Sequence, residues 1–250
     1  MIQVYCFLKF FQIMTLLPFM ADSQTWDTWI DTSRIKSQEK IETGLIYALP
    51  APETKGAVSV EEAMYNRRSQ RSYSRKAISL KEASQILWAA YGVTKPMDNP
   101  RFGGGLKTAP SAGALYPLEI YLLVRDVKGL EPGVYRYIPK NHSIVRVIAK
   151  DIKQELSAAS YNQKMIEEAP ACLFYSAVYS RITSKYGERG RERYVCMDLG
   201  HSAENVFLQA VALGLGTCPI GAFNDEQVRK AMQLPAEEEP LYMMPIGYVE

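Results

Sequence analysis

Thr108-Ala109-Pro110-Ser111-Ala112-Gly113-Ala114-Leu115-Tyr116-Pro117-Leu118-Glu119-Ile120-Tyr121-Leu122-Leu123-Val124 joins a run of small residues to a run of apolar ones. The second half, 118–124, reads as a buried strand. In the first half, small side chains and a glycine let the backbone approach a flat ligand closely. Exposed N–H groups and the Ser111 hydroxyl can then meet ring edges or a phosphate. The plainer alternative is a loop that ends in a Pro-started strand. Upstream, Gly105-Leu106-Lys107-Thr108 has the wrong spacing for a phosphate-binding P-loop, and no strand leads into it.

Working outward, Ser59-Val60-Glu61-Glu62 and Ser79-Leu80-Lys81-Glu82 are capping boxes that start helices. The first helix is expected to run to Asn66. The second shows apolar positions Leu80, Ala83, Ile86, Leu87 and Ala90 at helical spacing and stops at Gly92. Residues 93–109, with two prolines and Gly103-Gly104-Gly105, read as a long irregular loop. Residues 134–137 and 144–148 flank Asn141-His142 and predict a hairpin. A helix is expected over 152–159 and a strongly apolar strand over 171–179. A long helix then runs over 191–213, a helix capped by Asn224 over 225–232, and a last strand over 241–248. Strands in blocks between long helices indicate an α+β fold, without the regular βαβ alternation of a doubly wound sheet.

The composition is that of an ordinary soluble chain: 47% hydrophobic and 22% charged residues over 250 positions. A net charge of +2 gives no case for nucleic-acid binding. Cys6, Cys172, Cys196 and Cys218 form no CxxC pair, so they are expected as small buried hydrophobes. With only His142 and His201, a histidine-rich metal centre is not expected. Residues 7–20 are apolar apart from Lys9, Gln12 and Thr15. That is short for a membrane span and suits a signal-peptide core, although no clear A-x-A site precedes Ala21. The segment over 1–21 fits an exported chain and a cytoplasmic one equally. Residues 1–45 are therefore set apart as an extension, and 46–250 as one domain.

Two further segments carry chemistry. Arg67-Arg68-Ser69-Gln70-Arg71 places guanidinium forks and a hydroxyl within five residues, which suits a phosphate clamp as well as it suits a solvated basic turn. Gly214-Leu215-Gly216-Thr217-Cys218-Pro219-Ile220-Gly221-Ala222-Phe223 ends a helix in a turn whose Gly221 and Ala222 amides can face a cofactor ring; a packing turn is the equal alternative.

Taken in order, these segments, together with Asp198-Leu199-Gly200-His201…Asn205 and Glu131-Pro132-Gly133-Val134-Tyr135-Arg136-Tyr137, resemble the nitroreductase family, and within it the SagB-type dehydrogenase branch. The resemblance covers about residues 48–248. It implies an α+β fold with a central mixed or antiparallel sheet flanked by helices, in an intertwined homodimer with FMN at the subunit interface and NAD(P)H as the electron donor. By motif position Arg67, Ser69 and Arg71, with Arg68 beside them, would hold the FMN phosphate and ribityl chain. Pro110, Ser111, Ala112 and Gly113 would approach the flavin from the partner subunit. Pro219, Ile220, Gly221 and Ala222 would lie along the ring.

In azoline-oxidising members of the branch a Lys-Tyr pair assists proton removal, and the matching pair here is Lys185-Tyr186. A neighbouring ammonium favours a phenolate, which makes a base nearer neutrality; a surface loop with an ordinary Lys and Tyr is the plainer reading. His201 is expected to pack or hydrogen-bond rather than react. The segment matching 112–115 lacks the Asn common in the family, and no basic residue follows Tyr248, so the phosphate grip leans on Arg67 and Arg71. The resemblance implies an FMN-dependent oxidoreductase acting on a small or peptide-like substrate. It leaves open an azoline-type peptide dehydrogenase working with a partner cyclase, and a flavin-binding module with little turnover.

Overall fold

The computed structural model describes residues 46–99 and 102–250. The expectations for residues 1–45, including Cys6 and the apolar segment, lie outside the described residues.

The chain opens with strand β1 (Ile46–Ala48) and helix α1 (Val60–Asn66). A short strand, β2 (Ile78–Ser79), leads into α2 (Leu80–Tyr91), and a hairpin of β3 (Val93–Pro96) and β4 (Gly105–Lys107) follows. Next come β5 (Leu118–Val124), the short β6 (Val127–Lys128), β7 (Gly133–Ile138) and β8 (Ser143–Ile148). The second half contains α3 (Lys153–Ala159), α4 (Met165–Glu168), β9 (Ala171–Ala177), α5 (Ser180–Tyr186) and α6 (Val195–Ala212). It ends with β10 (Leu215–Thr217), α7 (Asp225–Ala231) and β11 (Glu239–Tyr248).

The principal sheet has the order β1-β8-β7-β5-β9-β11-β10, and its neighbouring strands are all antiparallel. Strand alternation sends β5 side chains to two different cores. Leu118, Ile120, Leu122 and Val124 pack with Ile86, Leu87 and Tyr91 of α2 and with Val206 and Phe207 of α6. Tyr121 and Leu123 pack on the other face with Leu156 of α3 and Val228 of α7. Helices therefore cover both faces, which is why β5 and β9 read as continuous apolar runs rather than alternating ones.

Ser79 forms both arms of its capping box: its hydroxyl accepts from the Glu82 amide, and the Glu82 carboxylate accepts from the Ser79 amide. At α1 the Ser59 hydroxyl accepts from the Glu62 amide. Three expectations need correction. Residues 93–109 are not irregular throughout, because β3 and β4 pair across the glycine run. The stretch around Lys185 is the end of a helix, not a loop. Cys196 is exposed, whereas Cys172 and Cys218 are buried as expected.

No helix among the described residues is long and apolar enough to cross a membrane.

Candidate functional site

The arginine segment follows α1 directly. Arg67 turns the chain extended (φ −56°, ψ 121°), Ser69 bridges Thr217 of β10 in parallel, and the Gln70 amide donates to the Thr217 carbonyl at 2.9 Å. In an extended segment successive side chains alternate, so Arg67, Ser69 and Arg71 share one side. Arg68 and Gln70 line a cleft with Phe207, Gly216 and Val249.

The arginines differ in what they already hold. The Arg68 guanidinium donates to the carbonyls of Tyr65 (2.9 Å) and Arg67 (2.7 Å), so it serves its own backbone. Arg67 lies 4.9 Å from the Phe207 ring centroid. Neither Arg67 nor Arg71 forms an ion pair among the described residues. Thr217 Oγ1 beside them is buried with no hydrogen-bond partner among the described residues. Burial pushes the neighbouring Cys218 thiol up, against the pull of Arg71 and a hydrogen bond with Ser69.

β10 runs straight into the glycine turn. Ile220 exchanges two backbone hydrogen bonds with Met243 of β11, at 2.8 and 2.9 Å, and its side chain is buried. Its main chain is thus committed to the sheet. Pro219 is half-buried. Gly221 and Ala222 are exposed, and their amides donate to no described residue. The Ala222 carbonyl accepts from Gln163 at 2.9 Å, which fixes the plane of the next peptide. A Cβ on Gly221 would meet only the Tyr242 ring, at 3.5 Å.

The small-residue turn is built differently. Pro110 is exposed, and Ser111 to Gly113 are half-buried. Gly113, Ala114 and Tyr116 have φ of 62°, 53° and 48°. For the two non-glycines this conformation costs about 1–2 kcal/mol each, and it persists only where the surroundings over-determine it. Here they do. The Tyr116 amide donates to Ser111 Oγ at 2.9 Å, and the Ala112 amide donates to Asp198 Oδ1 of α6 at 3.3 Å. Arg181 of α5 donates to the Tyr116 carbonyl at 3.1 Å. Lys107 Nζ sits 4.0 Å from the Tyr116 ring centroid and 4.2 Å from that of Tyr91.

Burial shapes the charges around this turn. It pushes the Lys107 ammonium down to about 7, against the pull of Glu119. It raises the Asp198 carboxyl, although the Ser111 hydroxyl, the Ala112 amide and His201 favour the charged form. It would raise Glu119 as well, but Arg181 and Arg136 override it and hold that carboxyl below the usual range. Arg181 reaches Glu119 at 2.5 Å, and Arg136 reaches the same carboxylate at 3.0 Å.

Lys185 and Tyr186 end α5. A Cβ built on Gly113 would lie 2.8 Å from the Tyr186 hydroxyl and 3.3 Å from Lys185 Nζ. The two predicted features, with Gly113 and Lys185 72 positions apart, thus form one patch within the chain, and only a glycine leaves room for it. A second patch joins the arginine segment to the glycine turn through Ser69 and Thr217. His201 is exposed on α6, and Tyr116 is buried.

Sequence reasoning missed Asp198, Arg181 and Lys107 as supports of the turn. The contacts to Asp198 and Arg181 span 86 and 65 positions. The one available signal was that Asp198 and Glu119 carry charge inside otherwise apolar segments.

Comparison with known proteins identifies the family. The Nitroreductase family matches residues 64–248. A nitroreductase-like protein of Methanocaldococcus jannaschii is 48% identical over 190 residues, covering 76% of this chain and 91% of that protein. The microcin B17-processing protein McbC of Escherichia coli is 26% identical over 164 residues; the match covers 63% of this chain and 57% of McbC. Among solved structures, a nitroreductase-like protein of Ralstonia eutropha superposes with a TM-score of 0.69 at 29% identity, covering 82% of this chain and 90% of that one. The E. coli microcin synthetase McbBCD complex with truncated pro-MccB17 bound shares the fold, with a TM-score of 0.61 at 22% identity over 91% of this chain and 85% of that chain.

Proposed function

Because the chain belongs to the nitroreductase family, whose members are oxidoreductases, we propose that it binds FMN and uses it, with NAD(P)H as the donor, to move hydride to or from a small or peptide-like substrate. One observation carries the reading. Two guanidiniums without an acidic partner among the described residues, those of Arg67 and Arg71, lie on a segment that bridges Thr217, four residues before Gly221, and the amides of the exposed Gly221 and Ala222 donate to no described residue. Cations at one end and free backbone donors at the other are what a phosphate-bearing flavin needs. The hydroxyl of the bridged Thr217 has no hydrogen-bond partner among the described residues.

FMN, when bound, supplies a two-electron hydride acceptor or donor. The protein supplies placement. Arg67, Ser69 and Arg71 bind the phosphate and ribityl chain, while Gly221 and Ala222 offer N–H groups to the ring edge. The small-residue turn with Pro110, Ser111, Ala112 and Gly113 forms the second wall. In this reading the two walls of a site come from different subunits of a homodimer, each subunit completing the other's site.

A second reading is an azoline-type peptide dehydrogenase working with a partner cyclase. The meeting of Gly113 with Lys185 and Tyr186 favours it, because it sets a phenol beside an ammonium at the wall where a substrate would lie. The likeness to McbC agrees with it and with the SagB-type branch. In this reading Tyr186, as the phenolate, takes the substrate proton and becomes the neutral phenol, with the Lys185 ammonium as the cation beside it.

Anaerobic addition of NADH and NADPH to purified protein, followed by visible absorbance, tests the first reading. We expect flavin bands that bleach with one of the two donors. Colourless protein that takes up no added FMN overturns it, and flavin that stays oxidised with both points to a binding module instead. For the second reading, Lys185→Ala and Tyr186→Phe should abolish dehydrogenation of an azoline peptide while flavin stays bound; turnover retained by both variants removes the pair from the mechanism.

A further inference from the structure

Between α5 and α6 the chain makes a π-helical turn, Gly190–Tyr194. Such turns are rare, and each inserts an extra residue that shifts the facing of the side chains before it against those after it. This one runs without a break into α6.

Its two ends both meet Tyr186. Gly190 is buried, and a Cβ there would lie 3.2 Å from both the Tyr186 Cβ and the Ile182 carbonyl oxygen. The turn therefore lies directly on α5. At its other end the Tyr194 ring meets the Tyr186 ring edge-on, with centroids 5.0 Å apart and planes at 87°. Arg189 Nε donates to the Tyr194 hydroxyl at 2.9 Å, which fixes that ring from behind. On the far side, the Tyr186 hydroxyl faces the Gly113 backbone.

We infer that Tyr194, set by the π-turn and braced by Arg189, is a positioning residue that holds the Tyr186 ring with its hydroxyl against the Gly113 wall. The inference rests on the reading of Lys185 and Tyr186 as the proton-handling pair. A phenol that exchanges a proton with substrate must stay within hydrogen-bond reach of it, and a displacement of about 1 Å can cost about 100-fold in rate. Tyr186 ends its helix just before Gly187, whose φ of 56° and ψ of −149° turn the chain away. Helix hydrogen bonding does not set the direction of the ring; its packing against the core and its edge-on contact with Tyr194 do.

The test places a single fluorotyrosine at position 186 and compares Tyr194→Leu, Tyr194→Phe and Arg189→Gln by fluorine NMR without added cofactor. The same variants, unlabelled and FMN-loaded, are assayed for turnover. We expect one sharp resonance in the parent and in Tyr194→Phe, and a shifted or split resonance in Tyr194→Leu. In Tyr194→Leu, kcat should fall about tenfold with KM and FMN affinity changed less than about twofold, and Tyr194→Phe should restore most of it. Arg189→Gln keeps both rings and serves should the leucine variant not fold; it should broaden the resonance and lower kcat by a smaller factor.

An unmoved resonance with unchanged kcat in Tyr194→Leu, or in Arg189→Gln where only that variant folds, overturns the inference. A moved resonance combined with full turnover in Lys185→Ala and Tyr186→Phe keeps the contact and overturns the base reading instead.

Discussion

The two patches of the site are held in opposite ways. The small-residue turn 111–116 is tied by protein groups at nearly every residue: Asp198 and Ser111 take its amides, Arg181 takes its carbonyl, and Lys107 covers its tyrosine ring. The arginine segment 67–71 is tied through its backbone to Ala63, Thr217 and the Tyr73 hydroxyl, and the guanidiniums of Arg67 and Arg71 have no acidic partner among the described residues. One wall is organised before any ligand arrives, and the other keeps charge in reserve for an anion. The contrast indicates where binding energy is used. A phosphate satisfies the open side, while the closed side has already met its cost of ordering during folding.

The contrast would be broken most severely at Glu119. Replacing it by Gln leaves the Arg136 and Arg181 guanidiniums facing each other without their carboxylate, and unfolding free energy should fall by about 3–5 kcal/mol in urea titration. The pH dependence has a definite sign. The folded Glu119 carboxyl lies below its ordinary value, so its contribution is present above the unfolded pKa of about 4.3 and is lost as pH falls further. A variant as stable as the parent at pH 7 would mean that the turn is not held by this network.

The open side should respond through ligand rather than through folding. The double variant Arg67→Ala with Arg71→Ala removes two charge-assisted contacts worth about 1.5–3 kcal/mol each. FMN dissociation, followed by flavin fluorescence, should weaken by at least about 100-fold. The urea midpoint of the cofactor-free protein should stay nearly unchanged. A comparable loss of stability in that free protein would erase the distinction between the two sides.

Gly113→Ala probes the closed side at its tightest point. The backbone there is left-handed, and the new methyl would sit 2.8 Å from the Tyr186 hydroxyl. A stability loss of about 1–2 kcal/mol is expected, with Tyr186 displaced and FMN affinity little changed. Lys107→Met probes the same side through pH rather than at one condition. Burial holds the folded ammonium near 7, below its unfolded value of about 10.4, so the unfolded chain binds more protons between those limits. Parent stability should therefore gain from this group as pH rises from about 7 to 10, and the methionine variant should lose that gain in parallel urea titrations.

How much of this was legible in the sequence follows from the range of the interactions. Ser79 with Glu82, and the apolar spacing behind them, are local signals, and α2 forms where they place it. Buried on both faces, β5 and β9 announce themselves as apolar runs. α5 was missed because Ser180–Tyr186 is mostly polar and its N-cap, Tyr179, makes no side-chain cap. The β3–β4 hairpin was hidden by its glycine run, which reads as irregular until the pairing of Pro96 with Gly105 is known. At the site, residue types pointed to the arginine segment and the glycine turn. Which arginines stay uncommitted was not legible, since the return of Arg68 onto the Tyr65 and Arg67 carbonyls depends on where α1 ends.

The bridge between Ile220 and Met243 makes a sharp boundary in the backbone. On one side of a single peptide, the amide is locked into a strand of the main sheet and exchanges with solvent only when that sheet opens. On the other side, Gly221 and Ala222 lie in the open, within one residue of that anchor. A surface donor usually gains accessibility at the expense of stiffness. Here the sheet lends its rigidity to two amides that remain wet, so a flat ring arriving from solvent meets a fixed edge rather than a loop that must first be ordered.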